Sequence, residues 1–395
     1  MATARPFRAR RIAAIAGLLT AMAAAALMPA SQVPTAAGPS PASAAAQSPP
    51  KWRMRYFYDE EKSSFEIADL QFPSNKRGLA VGVIVQGGHQ RPAEVVTADG
   101  GAHWQMIHLE EPPLSLFFLN ESLGWMVTTR GLWQTTEAGR NWRKLPHLPS
   151  PVFRVCFIDE RNGFAAGPKK KMYRTRDGGQ HWEPVAAAAE PPGNPEFSAY
   201  TWISFATPKF GIATGWNMPP RHQESLPDWM DPESAATRRD TPHLTYSLVT
   251  NDGGATWKSQ AASLFGQVAR VRFGPGGLGL GLIEYPGTFR YAAEVYQIEW
   301  KTGKSHTVYR DRRFAVTDIW QMPDGTAYLA GVEAVGQVRG VMPGKVRVLR
   351  SSADLADWTE MPVDYRATAS RVMLAVPDAE NLWMATDAGM ILKLQ

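Results

Sequence analysis

A chain of 395 residues has room for one large domain or two ordinary ones, and 44% apolar with 10% aromatic residues exclude a disordered polymer. The net charge of +5 is concentrated at the start: Arg5, Arg8, Arg10 and Arg11 supply +4 of it, and the first 46 residues hold no acid. The rest of the chain is therefore near neutral, which argues against a nucleic-acid-binding surface.

Residues 1–46 have the three parts of a secretory signal peptide. The arginines precede an apolar run, Ile12 to Met28, and a small-residue tract offers a cleavage point after Ala46. Export to the periplasm or the exterior is expected. The alternative is an uncleaved N-terminal anchor tethering the protein to a membrane through the Pro/Ala/Ser-rich residues 29–50. Residues 47–51 read as a linker, and 52–395 as one domain.

Trp52 to Tyr58 alternates like a strand but has no partner nearby in sequence. Beyond it a box recurs: T-A-D-G-G-A-H-W (97–104), T-T-E-A-G-R-N-W (135–142), T-R-D-G-G-Q-H-W (175–182) and T-N-D-G-G-A-T-W (250–257), with a worn copy, S-S-A-D-L-A-D-W, at 351–358. The first three copies are about 40 residues apart, and each unit divides into four short strands with Gly, Asn and Asp in the turns. That period and grammar predict an all-β chain, a seven-bladed β-propeller, with six or eight blades as the alternatives if the boxless units are counted differently. The unit 267–311 keeps its strands but has lost the box. The last unit, 367–395, is one strand short, and the spare Trp52 strand would complete it and remove an exposed edge.

The box is expected between the third and fourth strands of each blade. Thr97 and Asp99, with their counterparts Thr135 and Glu137, Thr175 and Asp177, Thr250 and Asp252, would bond backbone N–H groups of the turn. Gly101, Gly139, Gly179 and Gly254 would supply a backbone conformation that a Cβ resists, and Trp104, Trp142, Trp182 and Trp257 would wedge between blades. A calcium site would need six to eight oxygens, whereas each box offers one carboxylate, so the staple reading is preferred. No cofactor and no metal are expected. Cys156, the single cysteine, sits in an alternating apolar strand and reads as a small buried filler rather than a nucleophile.

If the boxes mark one rim, the variable loops joining second and third strands lie on the other, where binding residues usually collect. Arg91 belongs to the segment 86–93 and Lys170 to a short Pro-Lys-Lys-Lys turn. The insertion 217–243 brings Arg221, His222, Trp229, Arg238 and Arg239, while Tyr285 and Arg290 fall in 284–291 and Arg339 in 332–344. Arginines and aromatics gathered on one rim suit an acidic or extended peptide partner, because those residue types dominate interface hot spots.

The boxes resemble the Asp-box (BNR) repeats of sialidases, certain glycosidases and the sortilin group. With the strands F-F-L-N-E-S-L-G-W-M-V (117–127) and C-F-I-D-E-R-N-G-F-A-A-G (156–167) ahead of them, the chain is similar to the photosystem II assembly and stability factor family. That resemblance implies an exported, non-enzymatic propeller that binds a protein partner, such as an unassembled membrane-protein subunit, through a basic patch, and the chain itself is expected to be a monomer. It assigns no individual arginine. The alternative is a sialidase-like glycoside hydrolase. It would need a Tyr nucleophile assisted by Glu, and the nearest imitation, Arg290, Tyr291 and Glu294, puts residues 291 and 294 on opposite faces of an alternating strand. Two-carboxylate hydrolysis could otherwise draw only on the acids Glu224, Asp228, Asp231, Glu233 and Glu284 of the long loops.

Overall fold

The protein was analysed as a computed structural model, which describes residues 50–146, 148–219, 242–285, 291–333, 344–364 and 366–395. These form seven antiparallel sheets. Blade one is typical: Ser63–Gln71 innermost, then Gly78–Gln86, His89–Thr97 and Gln105–His108. The innermost strands of blades two to seven are Pro113–Phe118, Arg154–Phe157, Ser198–Phe205, Gln267–Phe273, Phe314–Gln321 and Val372–Ala375. Each packs beside the next, and the seventh returns to the first, closing a ring about a central channel. Blade six carries a short fifth strand, Thr368–Ala369.

Closure works as the spare strand suggested. Trp52–Phe57 pairs antiparallel with Met390–Leu394 as the outermost strand of blade seven, so strands from both ends of the propeller meet in that blade and Met390–Leu394 is not left as an edge. Trp52 is fully buried against Leu392, Val348 and Met361. No helix among the described residues is long and apolar enough to cross a membrane.

The box has a concrete geometry. Thr97 Oγ1 accepts the Gly101 N–H at 2.9 Å and donates to Asp99 Oδ1 at 2.9 Å, and Asp99 Oδ1 accepts the His103 N–H at 2.9 Å. The set recurs at Thr175, Asp177 and Gly179 and at Thr250, Asp252 and Gly254. At Asp252 the Thr256 hydroxyl and N–H hold the carboxyl down at about 2, so the staple stays ionised at any physiological pH. In the second copy Glu137 is longer and reaches the Asn141 side chain instead, at 2.8 Å. The worn copy slides one residue: Ser352 and Asp354 bond at 2.6 Å, and Leu355 takes the left-handed turn position with φ 62°.

The glycine of the box is required by its neighbour as much as by its own turn. In three of the four boxes the glycine packs against an aromatic or aliphatic side chain on the second strand of the preceding blade: Trp383 for Gly101, Leu79 for Gly139 and Phe164 for Gly254. Gly179 instead meets Leu132 of the preceding blade's third strand and Leu145 just past its fourth. A Cβ on Gly254, whose φ is +80°, would lie 2.0 Å from Phe164 Cζ. Gly87 also has positive φ, +56°, but a Cβ there meets nothing within 4 Å. Gly87→Ala is therefore expected to cost about 1 kcal/mol of backbone strain alone. Gly254→Ala adds overpacking and should cost about 3 kcal/mol. Denaturant titration of the two variants separates the effects; equal losses would show that the ring contact is irrelevant.

The box tryptophans do lie between blades. Trp104 packs edge-on against Phe72 of its own blade and Trp383 of blade seven, with centroids 6.1 Å away in both cases. Trp142, Trp182 and Trp257 repeat this at the next three junctions. The boxless fifth blade fills the same slot by another route. Trp300 stacks on Phe210 of blade four at 4.8 Å and meets Phe273 edge-on at 6.2 Å.

Candidate functional site at the channel

The box turns and the turns joining first to second strands share one rim, because box N–H groups bond those turns' carbonyls: Gly100 to Lys76, Gly178 to Arg161 and Gly253 to Lys209, each at 2.8–2.9 Å. The starts of the innermost strands open on the opposite rim.

Register places one residue per blade in a common layer of the channel wall: Asp69, Ser115, Arg154, Trp202 and Asp318 each pair with the fourth residue of their blade's second strand, Arg270 with the fifth, Leu282, and Met373 with the third, Ala385. In five blades a β-bulge immediately precedes this residue, a device that re-aims side chains. Trp202 stands between two arginines, with the Arg154 guanidinium carbon 4.4 Å and that of Arg270 5.0 Å from its ring centroid. Its indole N–H donates to the Val271 carbonyl at 2.8 Å, which locks the ring as a cation platform.

Asp318 is the negative centre of the layer. Its side chain is 1% exposed, lies 3.3 Å from Arg270 Nε and 3.2 Å from Arg272 Nη2, and accepts the N–H groups of Ile319 (2.9 Å) and Leu374 (2.8 Å). Burial opposes its charge, but Arg270, Arg272 and those N–H groups outweigh it and hold the carboxyl below its usual range. Asp69 plays the same part at the junction of blades one and two, accepting the N–H groups of Leu70 and Leu116 at 2.9 Å, with Arg154 3.9 Å away. Each aspartate thus ties its own innermost strand to the next.

The cations outnumber these two acids. Arg154, Arg270, Arg272 and Arg371 lie within electrostatic reach of one another, and burial with mutual repulsion pushes Arg154 down to about 10 despite the attraction of Asp69. Burial likewise lowers Arg272 and Arg371. Glu284 is nearby, but burial pushes its carboxyl up against the pull of Arg270 and Arg371. Arg371, just ahead of the blade-seven innermost strand, keeps contact with solvent although protein surrounds it. Leu114 and Phe153, 37% and 39% exposed, stand at the same end and are linked by the Ser115 hydroxyl donating to the Phe153 carbonyl at 2.8 Å. The channel mouth therefore combines excess positive charge with exposed apolar side chains.

Of the ten rim residues expected from sequence, Arg91, Lys170 and Tyr285 are described, and these three are not gathered here. The segment 86–93 is no loop: the chain turns tightly at Gly87 and Gly88, and Arg91 is an exposed strand residue bonded to Gln86 at 3.1 Å. Lys170 points inward; it is 7% exposed and its ammonium donates to the Pro191 carbonyl beneath the Tyr246 ring. Tyr285 is half-buried and donates to Glu294 Oε2 at 2.7 Å. Glu284, read as a loop acid, ends the strand Leu278–Glu284. Arg221, His222, Trp229, Arg238, Arg239, Arg290 and Arg339 lie outside the described residues, as do the leader 1–46 and the acids Glu224, Asp228, Asp231 and Glu233.

Two sequence readings about chemistry can be placed. Cys156 is 6% exposed and burial pushes its thiol up to about 12, the signature of an inert filler. The tyrosines that meet Glu294 are Tyr285 and Tyr296; the Tyr291 ring lies 4.9 Å from the Arg310 guanidinium. Burial, then Glu294 itself, pushes the Tyr285 hydroxyl far above its ordinary value, the opposite of what a tyrosine nucleophile needs.

Arg154, Arg270, Arg272 and Arg371 were missed from sequence. Their signal is present in F-R-V-C-F, A-R-V-R-F and S-R-V-M-L, where Arg154, Arg270 and Arg371 each precede a valine, and Arg272 a phenylalanine, in or at the start of a mostly apolar innermost strand. Nothing in a single strand says that these arginines converge, since that depends on ring closure.

No family model matches the chain. It is 22% identical over 296 residues to the photosystem II assembly lipoprotein Ycf48 of Synechococcus sp. (strain CC9902), covering 73% of this chain and 74% of that protein. Among solved structures it is similar to YCF48 bound to D1 peptide, with a TM-score of 0.56 and 15% identity over 89% of this chain and 98% of that one. YCF48 from Cyanidioschyzon merolae gives 0.55 and 14%, over 87% and 98%. A GH74 xyloglucanase from Xanthomonas campestris gives 0.58 and 12%, over 87% of this chain and 53% of that one. At these identities the solved structures speak to the fold alone. The chain is thus a seven-bladed propeller similar to photosystem II assembly factors.

Proposed function

We propose that this protein is an exported, non-enzymatic binding protein of the assembly-factor kind, which holds an extended, acidic segment of a protein partner at the arginine-lined mouth of its channel. The observation that carries the reading is the excess of arginines over ionised carboxylates beside exposed Leu114 and Phe153. Guanidinium groups bind carboxylates in a bidentate fork, and aromatic and aliphatic neighbours supply apolar contact. The likeness to Ycf48, one solved form of which has D1 peptide bound, supports a peptide as the ligand. A subunit of a membrane complex, met while still unassembled, is the partner that likeness suggests. The same likeness, with the raised Tyr285 hydroxyl, favours binding over glycoside hydrolysis.

The test is fluorescence anisotropy with a labelled synthetic peptide that alternates Glu and Leu. Arg371→Glu is the informative variant because Arg371 touches solvent and carries no side-chain bond to the scaffold's aspartates. It is expected to weaken binding at least tenfold at low salt and to leave the unfolding midpoint nearly unchanged. Unchanged affinity, or a wild-type affinity insensitive to salt, would remove the channel mouth from the reading.

A further inference from the structure

The boxless fifth blade leaves a trace in the packing. Between the facing sheets of blades four and five lies a cavity of about 100 Å3, walled almost wholly by apolar atoms. Its origin is legible in two small side chains. On the second strand of blade four the position facing the next blade is Ile212, an aliphatic residue like Leu79 and Leu280 in blades one and five, where blades two, three, six and seven carry the larger rings of Trp125, Phe164, Tyr328 and Trp383. On the second strand of blade five Gly281 stands where the other blades place Ala80, Met126, Ala165, Ala213, Leu329 and Met384. Trp300 fills only the end of the gap, against Phe210 and Phe273.

The lining also includes polar residues such as Thr214, Thr245, Tyr296 and Ser305, and two groups in it lack a partner. Ser247 is 3% exposed, and its hydroxyl has no hydrogen-bond partner among the described residues; the same holds for the indole N–H of Trp300. Buried groups of this kind normally find partners, because each one left bare costs about 1–3 kcal/mol. A fully apolar cavity stays dry and admits xenon or benzene. This one differs by offering a donor, the Trp300 N–H, and a hydroxyl that can donate or accept.

We propose that this cavity is a binding site for a small, mostly aliphatic molecule carrying one hydroxyl or carbonyl oxygen. A cavity of 150 Å3 holds benzene, so the room here suits on the order of four to six heavy atoms. The alkyl part lies against Val271 and Ile298, and its oxygen meets Ser247 or Trp300. The site is separate from the channel arginines and does not depend on the peptide reading.

Saturation-transfer NMR with 2-methylpropan-1-ol on the full-length protein tests this, together with crystals held under xenon pressure. Expected are transfer to the alcohol's methyl groups and a xenon peak between blades four and five. Ile212→Phe, which fills much of the cavity, should abolish both, and Gly281→Leu, which places there the residue type blade six carries as Leu329, serves the same purpose if that variant fails to fold. Ser247→Ala should weaken the alcohol signal at least threefold and leave xenon bound, which separates a hydrogen-bonded ligand from mere void filling. No transfer in the wild type, or equal transfer in the filled variants, would overturn the assignment. Unaltered alcohol binding in Ser247→Ala and in a Trp300→Phe variant would overturn the polar half of it.

Discussion

Replacing Asp318 by Asn is expected to destabilise the protein by about 3–5 kcal/mol, the largest single effect we anticipate. The carboxylate is 1% exposed and faces Arg270 and Arg272 together. Removing its charge leaves two guanidinium groups without a counterion in a place where burial already works against them. It also weakens the acceptor for the Leu374 N–H, one of the bonds that join blade six to blade seven. The loss arises mainly from the stranded cations and not from any large net worth of the ion pairs. The triple variant Arg270→Met, Arg272→Met, Asp318→Asn should therefore be more stable than Asp318→Asn alone, because neither guanidinium that Asp318 neutralised is left behind. Urea titrations of the two variants decide this. A loss under 1 kcal/mol for the single change would mean that solvent in the channel screens these groups well.

Stability should also fall as pH rises from about 4.5 to 7, through one buried acid. Glu94 is fully buried between blades one and two; its Oε2 accepts the Trp142 indole N–H at 3.1 Å, and Oε1 has no partner among the described residues. Burial pushes the carboxyl from 4.5 up to about 7, against the pull of the Trp142 bond. The folded state thus holds a proton that the unfolded chain releases above pH 4.5. Its contribution is fully present below that pH and is lost as pH climbs through 7. A shift of this size corresponds to about 3 kcal/mol. Glu94→Gln keeps an acceptor for Trp142 and cannot ionise, so the stability difference between wild type and variant should move by about that amount between pH 5 and 8. Comparing the two proteins cancels the other titrating groups. A constant difference across that range would show that Glu94 is hydrated in the folded protein.

The arithmetic of the repeat was open to sequence because it is local. A strand of about five residues, a turn that needs glycine and a tryptophan at fixed spacing each reflect forces acting within a few residues, so the period, the seven blades and the staple role of Thr97, Asp99, Gly101 and Trp104 could be read directly. The closing pair also followed, since an unpaired Trp52 strand and a blade one strand short answer each other. The rim was harder to read. Loop length misled at 86–93, where two glycines make the tightest of turns, and at Lys170, whose charge points into the protein. Polarity marks a residue as usually exposed but does not say which way its side chain faces.

What sequence alone determined was the fold and the scaffold that repeats within it. Only the tertiary structure decided the candidate sites. Arg154, Arg270, Arg272 and Arg371 come from three blades, separated by up to 217 residues, and become neighbours because a ring brings every innermost strand to one axis. Ile212 and Gly281 likewise look unremarkable until two sheets face each other and neither fills the gap. Local pattern encodes what each strand buries, whereas charge convergence and cavity volume belong to the closed ring.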